Sequence, residues 1–381
     1  MISIRDKSQC CGCTACASVC AHDAIIMKPD VLGFLYPHVD HSKCVDCGQC
    51  EKVCAFTKHY DTSANVRLQA YAARHKDLHE VETSRSGAAF IAISDYVLDN
   101  GGAIYGVGYT GHFKITHKRA INKEERNEFK GSKYVQSDLT TIFRQVKKDL
   151  MNGLIVLFSG TPCQTSGLNS YVGNKLRKQL ILVDIVCHGV SAPFLWEDYL
   201  NYLERKNGKK IIEVNFRDKE LFGWGPHRET FKFLGSNKKI CYKYVFYQYT
   251  IYRDSCYQCP FANMTRPSDI TIGDFWGWER TDRNINKDAK GVSLILLNTE
   301  KGMQIFDIIK YKMDIVPAKI ENCIQPNLQK PTSLPPYRKN YENDYIKYGF
   351  EYVMKKYGNI GWRYKITRLK NKLTNVRKRF F

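Results

Sequence analysis

Two stretches of this chain repeat one cysteine spacing, C-x2-C-x2-C-x3-C: Cys10, Cys13, Cys16 and Cys20, then Cys44, Cys47, Cys50 and Cys54. Two-residue gaps wind a loop so that three thiolates face one core, which is what a cubane 4Fe-4S cluster requires. In paired runs of this kind the fourth cysteine serves the other cluster. That assigns Cys10, Cys13, Cys16 and Cys54 to one centre and Cys44, Cys47, Cys50 and Cys20 to a second. Zinc sites pair two C-x-x-C hooks and leave the third and fourth thiols of each run unexplained, and disulfides fit no better.

The double run is the bacterial two-cluster ferredoxin pattern, with one departure. Ala21 and Ala55 stand where that pattern has proline after the fourth cysteine, which loosens a turn without removing a ligand. Cys11 is an extra thiol beside Cys10 and reads as a bystander.

At 381 residues, 43% of them hydrophobic, the chain has room for this small module and one larger globular domain. Most of its fifteen cysteines stand in metal-ligand spacing and MISIRDKSQCCGC has no apolar signal segment, so the chain reads as cytoplasmic. No apolar run approaches the roughly 18 residues that span a bilayer. The formal charge is +20, from which each oxidised cluster with its thiolates subtracts about two. The remaining excess favours an acidic partner, a phosphorylated ligand, an anionic membrane surface or nucleic acid. A zinc-dependent nucleic-acid binder would account for that charge but not for the two four-cysteine runs, so no nucleic acid is expected.

Residues 57–70 are polar and read as a linker. An alternation of helix and strand follows: a helix over 87–98 capped by Ser86 and stopped by Gly101 and Gly102, strands over 103–109 and 113–120, and a helix over 138–151. A strand over 154–158, a helix after Gln164 and a strand over 180–186 imply a right-handed parallel crossover. Both strand ends then share one edge. Thr161 and Cys163 follow the first and Cys187 the second, at the carboxyl-end crevice where open α/β sheets bind ligands. Cys256 and Cys259 add one C-x-x-C hook, completing four thiols. Spacing alone leaves these four either as ligands of a third cluster or as ordinary buried cysteines. Cys241 and Cys323 read as structural, and the aromatic stretch Tyr242, Tyr244, Phe246, Tyr247, Tyr249 and Tyr252 reads as core.

Seven segments in order resemble the beta subunit of the coenzyme F420 hydrogenase/dehydrogenase family: SRSGAAF (84–90), GSKYVQSD (131–138), SGTPCQTSGL (159–168), DIVCHGVSAP (184–193), SCYQCPFAN (255–263), RPSDITIGDFWG (266–277) and GVSLIL (291–296). The resemblance spans residues 70–300. It implies an α+β, α/β organisation: a bacterial-type ferredoxin domain (1–56), the linker, a larger mixed α/β flavin-binding domain (71–335) and a basic helical tail (336–381). It further implies an FAD-dependent iron-sulfur oxidoreductase, with Cys163, Cys187, Cys256 and Cys259 holding a third 4Fe-4S cluster beside the flavin.

For FAD the chain offers Ser84, Ser86 and Gly87 at a predicted helix start, where free amides and hydroxyls suit pyrophosphate. Gly131, Ser132 and Lys133 form a second such loop, with Tyr134, Gln136 and Ser137 for the ring or ribityl chain. Asp274, in GDFWG, reaches the same crevice at a strand's end. Ordinary caps and turns explain these residues equally simply. His188, after Cys187, reads as a proton donor to the flavin or as a histidine bonded to a backbone carbonyl.

From Trp362 to Phe381 the chain has eight lysines and arginines and no acidic residue, with Trp362, Ile366, Leu369, Leu373, Val376 and Phe380 on one helical stripe. Such a helix suits peripheral contact with an anionic membrane, at the inner face, or docking on the protein itself. The functional expectation is electron passage between a low-potential donor or acceptor protein, the clusters and FAD, to or from a small organic substrate or the deazaflavin coenzyme. Family resemblance extends to proteins of surface polysaccharide biosynthesis. The alternative is a relay subunit with no substrate site of its own.

Overall fold

The structure is a computed structural model and describes residues 1–56, 60, 62, 64–242 and 249–358. The basic stripe from Trp362 onward, and Tyr244, Phe246 and Tyr247, lie outside the described residues.

The two cluster loops bracket an antiparallel hairpin, β1 (Ile25–Pro29) and β2 (Leu35–Val39). A larger sheet is built from β3 (Asn65–His75), β4 (Ala103–Thr110), β5 (Lys114–Ala120), β6 (Val156–Gly160) and β7 (Leu180–Ile185). A three-stranded antiparallel sheet of β8 (Ile211–Asn215), β9 (Glu229–Phe233) and β10 (Lys239–Tyr242) stands apart. The chain then returns through β11 (Ile270–Asp274), β12 (Ser293–Thr299) and β13 (Met313–Pro317), giving the large sheet the order β13-β3-β12-β11-β7-β6-β4-β5.

Four central strands, β4, β6, β7 and β11, run parallel, and the flanking strands are antiparallel. The apolar runs of β6 and β7 are what a strand covered on both faces requires. Their residues alternate accordingly. Val156, Phe158, Leu180 and Leu182 pack under the helices Ile142–Met151 and Pro162–Val172. Leu157, Ile181 and Val183 pack on the opposite side, under Ala89–Asp99 and Glu300–Ile309. Each such fully buried side chain contributes about 1.5–3 kcal/mol.

The cluster module is embedded in this frame. Ala15 and Val53 share a core with Phe143, and Leu32 and Phe34 share one with Trp196 and Tyr199. The stretch read as linker ends early, because Asn65 already pairs in β3 against Thr299. Two further expectations are corrected. Ser86 does not cap the following helix, since its hydroxyl bonds Val292 O at 2.6 Å and Ala88, at φ 64°, is the residue that turns the chain in. The next helix begins at Ile142 rather than 138, because Asp138 is held by the edge strand through His117 N to Asp138 O at 3.0 Å. Of the aromatic stretch, Tyr252 is buried but Tyr249 is half exposed, so it is only partly core.

Candidate functional site

Both cluster loops are wound by left-handed residues at the same register. Gly12 and Thr14 have φ 70° and 68°, and Asp46 and Gly48, each 34 positions later, have φ 48° and 71°. These turns bring the thiols into two groups. Cys10, Cys13, Cys16 and Cys54 lie within electrostatic reach of one another, and burial, then those neighbours, push the Cys16 thiol far up. Cys20, Cys44, Cys47 and Cys50 line one small cavity with Met1 and Ile25. Main-chain amides point at the sulfurs: Gly12 N at Cys10 (3.4 Å), Ala24 N at Cys20 (3.4 Å) and Ile2 N at Cys50 (3.2 Å). Four thiols with N–H donors around an enclosed space are the donor chemistry of a 4Fe-4S cluster, so both groups fit one.

A third set of thiols forms at the carboxyl ends of the parallel strands. Cys163 opens the helix after β6 behind the capping residue Thr161, Cys187 follows β7, and Cys256 and Cys259 come from the turn Asp254–Gln258 and its end. All four line one cavity. Burial, then the thiol of Cys163, pushes Cys187 and Cys259 up to about 12. Cys163 goes the other way, to about 7, chiefly because the Cys11 thiol donates to it. Its Sγ also stands 3.2 Å from the hydroxyl of Thr161. Two arginines fix the C-x-x-C turn. Arg338 bonds Asp254 at 3.2 Å, and Arg266 reaches Asp184 in β7 at 2.9 Å and Phe261 O at 2.8 Å.

Cys11 is more than a neighbour of Cys10 in sequence. It is buried with its thiol in contact with both Cys13 and Cys163, so it joins the first quartet to the third. Gly167, on the helix that carries Cys163, lets Cys13 come close, since a Cβ there would stand 2.6 Å from Cys13 Sγ.

The residues expected at FAD divide into two groups. Several have structural partners instead. Gly87 packs its α-carbon face against the backbone of Ala73 and Ser293, and Ser86 bonds Val292. Lys133 Nζ caps the carbonyls of Glu128 (2.6 Å), Lys130 (3.1 Å) and Gly131 (3.4 Å), and burial lowers its pKa to about 7. Gln136 bridges Cys11 O and Arg253, and Ser137 lies between His117 and Gln164. Ser86, Gly87, Lys133, Gln136 and Ser137 thus each have partners within the protein. Gly131, at φ +77°, faces open space beside the half-buried Ser132.

The other group gathers around Asp274, which accepts from Arg217 (2.6 Å) and from Trp224 Nε1 (3.2 Å) and lies 3.9 Å from Arg85. The Tyr134 hydroxyl stands 3.3 Å from Arg217, and the indoles of Trp224 and Trp276 stack at 4.7 Å. Burial, then Arg217, lowers the pKa of His188; burial, Arg217 and Arg85 take His227 to about 4. His188 also gives its carbonyl to Thr332 at 2.6 Å. Among the described residues, the buried Ser84 Oγ and Arg217 Nε have no hydrogen-bond partner. Arg85, Arg217, Trp224, Trp276 and His227 carry no motif spacing. Arg85 and Trp276 stand inside the segments SRSGAAF and GDFWG, whereas Arg217, Trp224 and His227 fall in none of the seven segments.

Residues 9–57 match the family described as a 4Fe-4S dicluster domain. Residues 154–322 match the family described as the C terminus of the coenzyme F420 hydrogenase/dehydrogenase beta subunit. Among solved structures, a chain of the F420-reducing nickel-iron hydrogenase complex from Methanosarcina barkeri is similar over 77% of this chain and 91% of that one, at 14% identity and a TM-score of 0.45. No curated protein matches the sequence. The chain thus has a 4Fe-4S dicluster domain at its N-terminal side and, over residues 154–322, is similar to the C terminus of the coenzyme F420 hydrogenase/dehydrogenase beta subunit.

Proposed function

We propose that this protein is an iron-sulfur flavoprotein oxidoreductase that accepts electrons from a low-potential carrier protein and delivers them to a small conjugated organic substrate, with the deazaflavin coenzyme as one member of that class. The reading includes a third 4Fe-4S centre at Cys163, Cys187, Cys256 and Cys259, and FAD in the crevice at the ends of β6, β7 and β11. The observation that carries it is the contact of Cys11 with Cys13 on one side and Cys163 on the other. Cys11 lines the same cavity as Cys163, Cys187, Cys256 and Cys259, so the first cluster loop borders the crevice.

FAD, when bound, exchanges single electrons with clusters and hydride with an organic molecule. The residues that fit it are Ser84 and Arg217, whose buried Oγ and Nε lack partners among the described residues, with Tyr134 and Asp274 beside them. An unpartnered buried donor costs about 1–3 kcal/mol, which an acceptor atom from a ligand would recover. Arg85 and Arg217 favour an anionic group there, beside the stacked Trp224 and Trp276. His188 and His227, their pKa values lowered, are neutral near pH 7, each able to hold or pass one proton at the crevice. At the other end Cys47 is exposed, which puts the outer cluster within reach of a docking carrier, and the charge of +20 favours an acidic one.

The test is iron, acid-labile sulfide, zinc and flavin per chain on anaerobically purified, reconstituted protein. The expected result is about twelve irons and one FAD. About eight irons and no flavin would sink this function and leave a ferredoxin-type relay between partner proteins.

A further inference from the structure

Arg253 belongs by its backbone to the loop of Cys256, but its side chain belongs to the ferredoxin module. Its main-chain N donates to Val190 O at 3.0 Å and its O accepts from Cys256 N at 2.9 Å. The guanidinium crosses to the first cluster loop, where Nε donates to Cys10 O at 2.7 Å and Nη2 to Leu35 O at 3.0 Å. Nη1 donates to Gln136 Oε1 at 2.8 Å, and Nη2 stands 3.5 Å from Cys10 Sγ. The Tyr36 ring lies 4.1 Å from the guanidinium carbon. Gly12 makes the approach possible. Its φ is +70°, and a Cβ there would stand 2.8 Å from Nη1.

Arg253 is 1% exposed, and a buried cation is costly unless an anion answers it. Among the described residues no carboxylate forms an ion pair with it. The sulfurs of Cys10 and Cys256, thiolates when they hold a cluster, lie within its electrostatic reach, with Cys10 Sγ at 3.5 Å. Its counter-charge is therefore the thiolate-ligated centre itself.

Among the described residues the other ferredoxin quartet has no such cation. Among the described residues the donors to its sulfurs are the amides of Ile2 and Ala24. Its surroundings include Asp46 and Glu51, both paired with the N-terminal amine at 3.2 Å. Arg144 reaches the carbonyl of Cys20 at 3.2 Å, not a sulfur; it is half exposed and is neutralised by Asp23 at 2.6 Å.

We propose that Arg253 is a positioning residue that raises the reduction potential of the Cys10, Cys13, Cys16 and Cys54 centre above that of the Cys20, Cys44, Cys47 and Cys50 centre, so that electrons run inward. Reduction adds one negative charge to a cluster, and a fixed buried cation stabilises the added charge. One electron leaves the reduced outer cluster, which is oxidised by one unit. The same electron reduces the inner cluster by one unit, with no proton or ligand exchanged. The inference rests on the dicluster ligand sets and holds with or without the third centre.

The experiment is a potentiometric titration followed by electron paramagnetic resonance on the full-length, reconstituted chain, with iron counted for every sample. Cys10→Ser identifies the signal of the inner centre. In the unmodified protein the inner midpoint lies above the outer one. Arg253→Met shifts the electron-exchange equilibrium between the two at least tenfold toward the outer centre, which is 59 mV for one electron. Arg253→Lys moves it less. Should Arg253→Met fail to hold iron, Gln136→Glu decides the matter, because it sets a carboxylate against Nη1 and keeps the guanidinium in place. The inner midpoint then falls and the outer one stays. An inner midpoint below the outer one in the unmodified protein, or an iron-replete Gln136→Glu in which neither midpoint moves or both move equally, overturns the proposal.

Discussion

The guanidinium of Arg266 meets the carboxylate of Asp184 at 2.9 Å, with the two side chains 1% and 0% exposed. The pair joins the carboxyl end of β7, just before Cys187, to the loop that follows Cys259. Arg266 reinforces this link through Ile185 O at 3.1 Å and Phe261 O at 2.8 Å. The position of one crevice thiol relative to another therefore depends on a salt bridge that water does not reach.

Removing one partner leaves the other buried and uncompensated, at a cost of about 3–5 kcal/mol. Arg266→Met is expected to lower stability by that amount in chemical unfolding. It should also lose iron from the third quartet while keeping the ferredoxin signals. Equal loss from all centres would mean that the pair only supports the fold as a whole.

Gly167→Ala tests the close approach between the crevice helix and the first cluster loop. The added methyl would stand 2.6 Å from Cys13 Sγ, and a sulfur bound to a cluster has little freedom to retreat. Overpacking of this kind costs about 1–3 kcal/mol. The expected outcome is a perturbed inner-cluster signal together with faster iron loss to a chelator. A variant indistinguishable in both readouts would show that the loop has room to give.

The cysteine runs were legible because cluster ligation is local: the left-handed turns at Gly12, Thr14, Asp46 and Gly48 fall inside the repeating spacing. The positions of Cys163 and Cys187 were legible because the apolar runs of β6 and β7 read as buried strands. Arg253 was not, because its acceptor at Cys10 lies 243 residues away. The cluster around Asp274 was likewise hidden, since Arg217 comes from the small-sheet segment and Trp224 from a loop beyond it. The partners of Lys133 and Gln136 were equally hidden. Both are polar residues in a promising loop, yet nearby carbonyls and the Arg253 side chain claim their hydrogen-bonding groups.

His117 gives the fold a dependence on acid. Its Nε2 stands 3.1 Å from Ser159 O, its Nδ1 2.9 Å from the hydroxyl of Ser137, and its ring stacks on Phe158. Burial lowers its pKa from 6.5 to about 4. Between those values the unfolded chain takes up a proton that the folded chain refuses, so stability falls as pH drops through that window, by up to about 3 kcal/mol. His117→Gln should flatten this slope. Thermal unfolding of both proteins between pH 7.5 and 5.5 should show the gap between them narrowing as pH falls, and parallel curves would contradict the assignment.

Cys11→Ala asks whether the thiol between two quartets is a ligand or only a contact. Each quartet is complete without it, so iron per chain should be unchanged at about twelve, whereas a loss of about four would make Cys11 a ligand.

The central claim is that Cys256 and Cys259 complete a cluster separate from the ferredoxin pair. The most direct measurement is iron and acid-labile sulfide per chain, side by side, in the unmodified protein and in the double variant Cys256→Ser with Cys259→Ser. The account predicts about twelve irons falling to about eight, with both ferredoxin signals retained. The same iron content in the two proteins would contradict it.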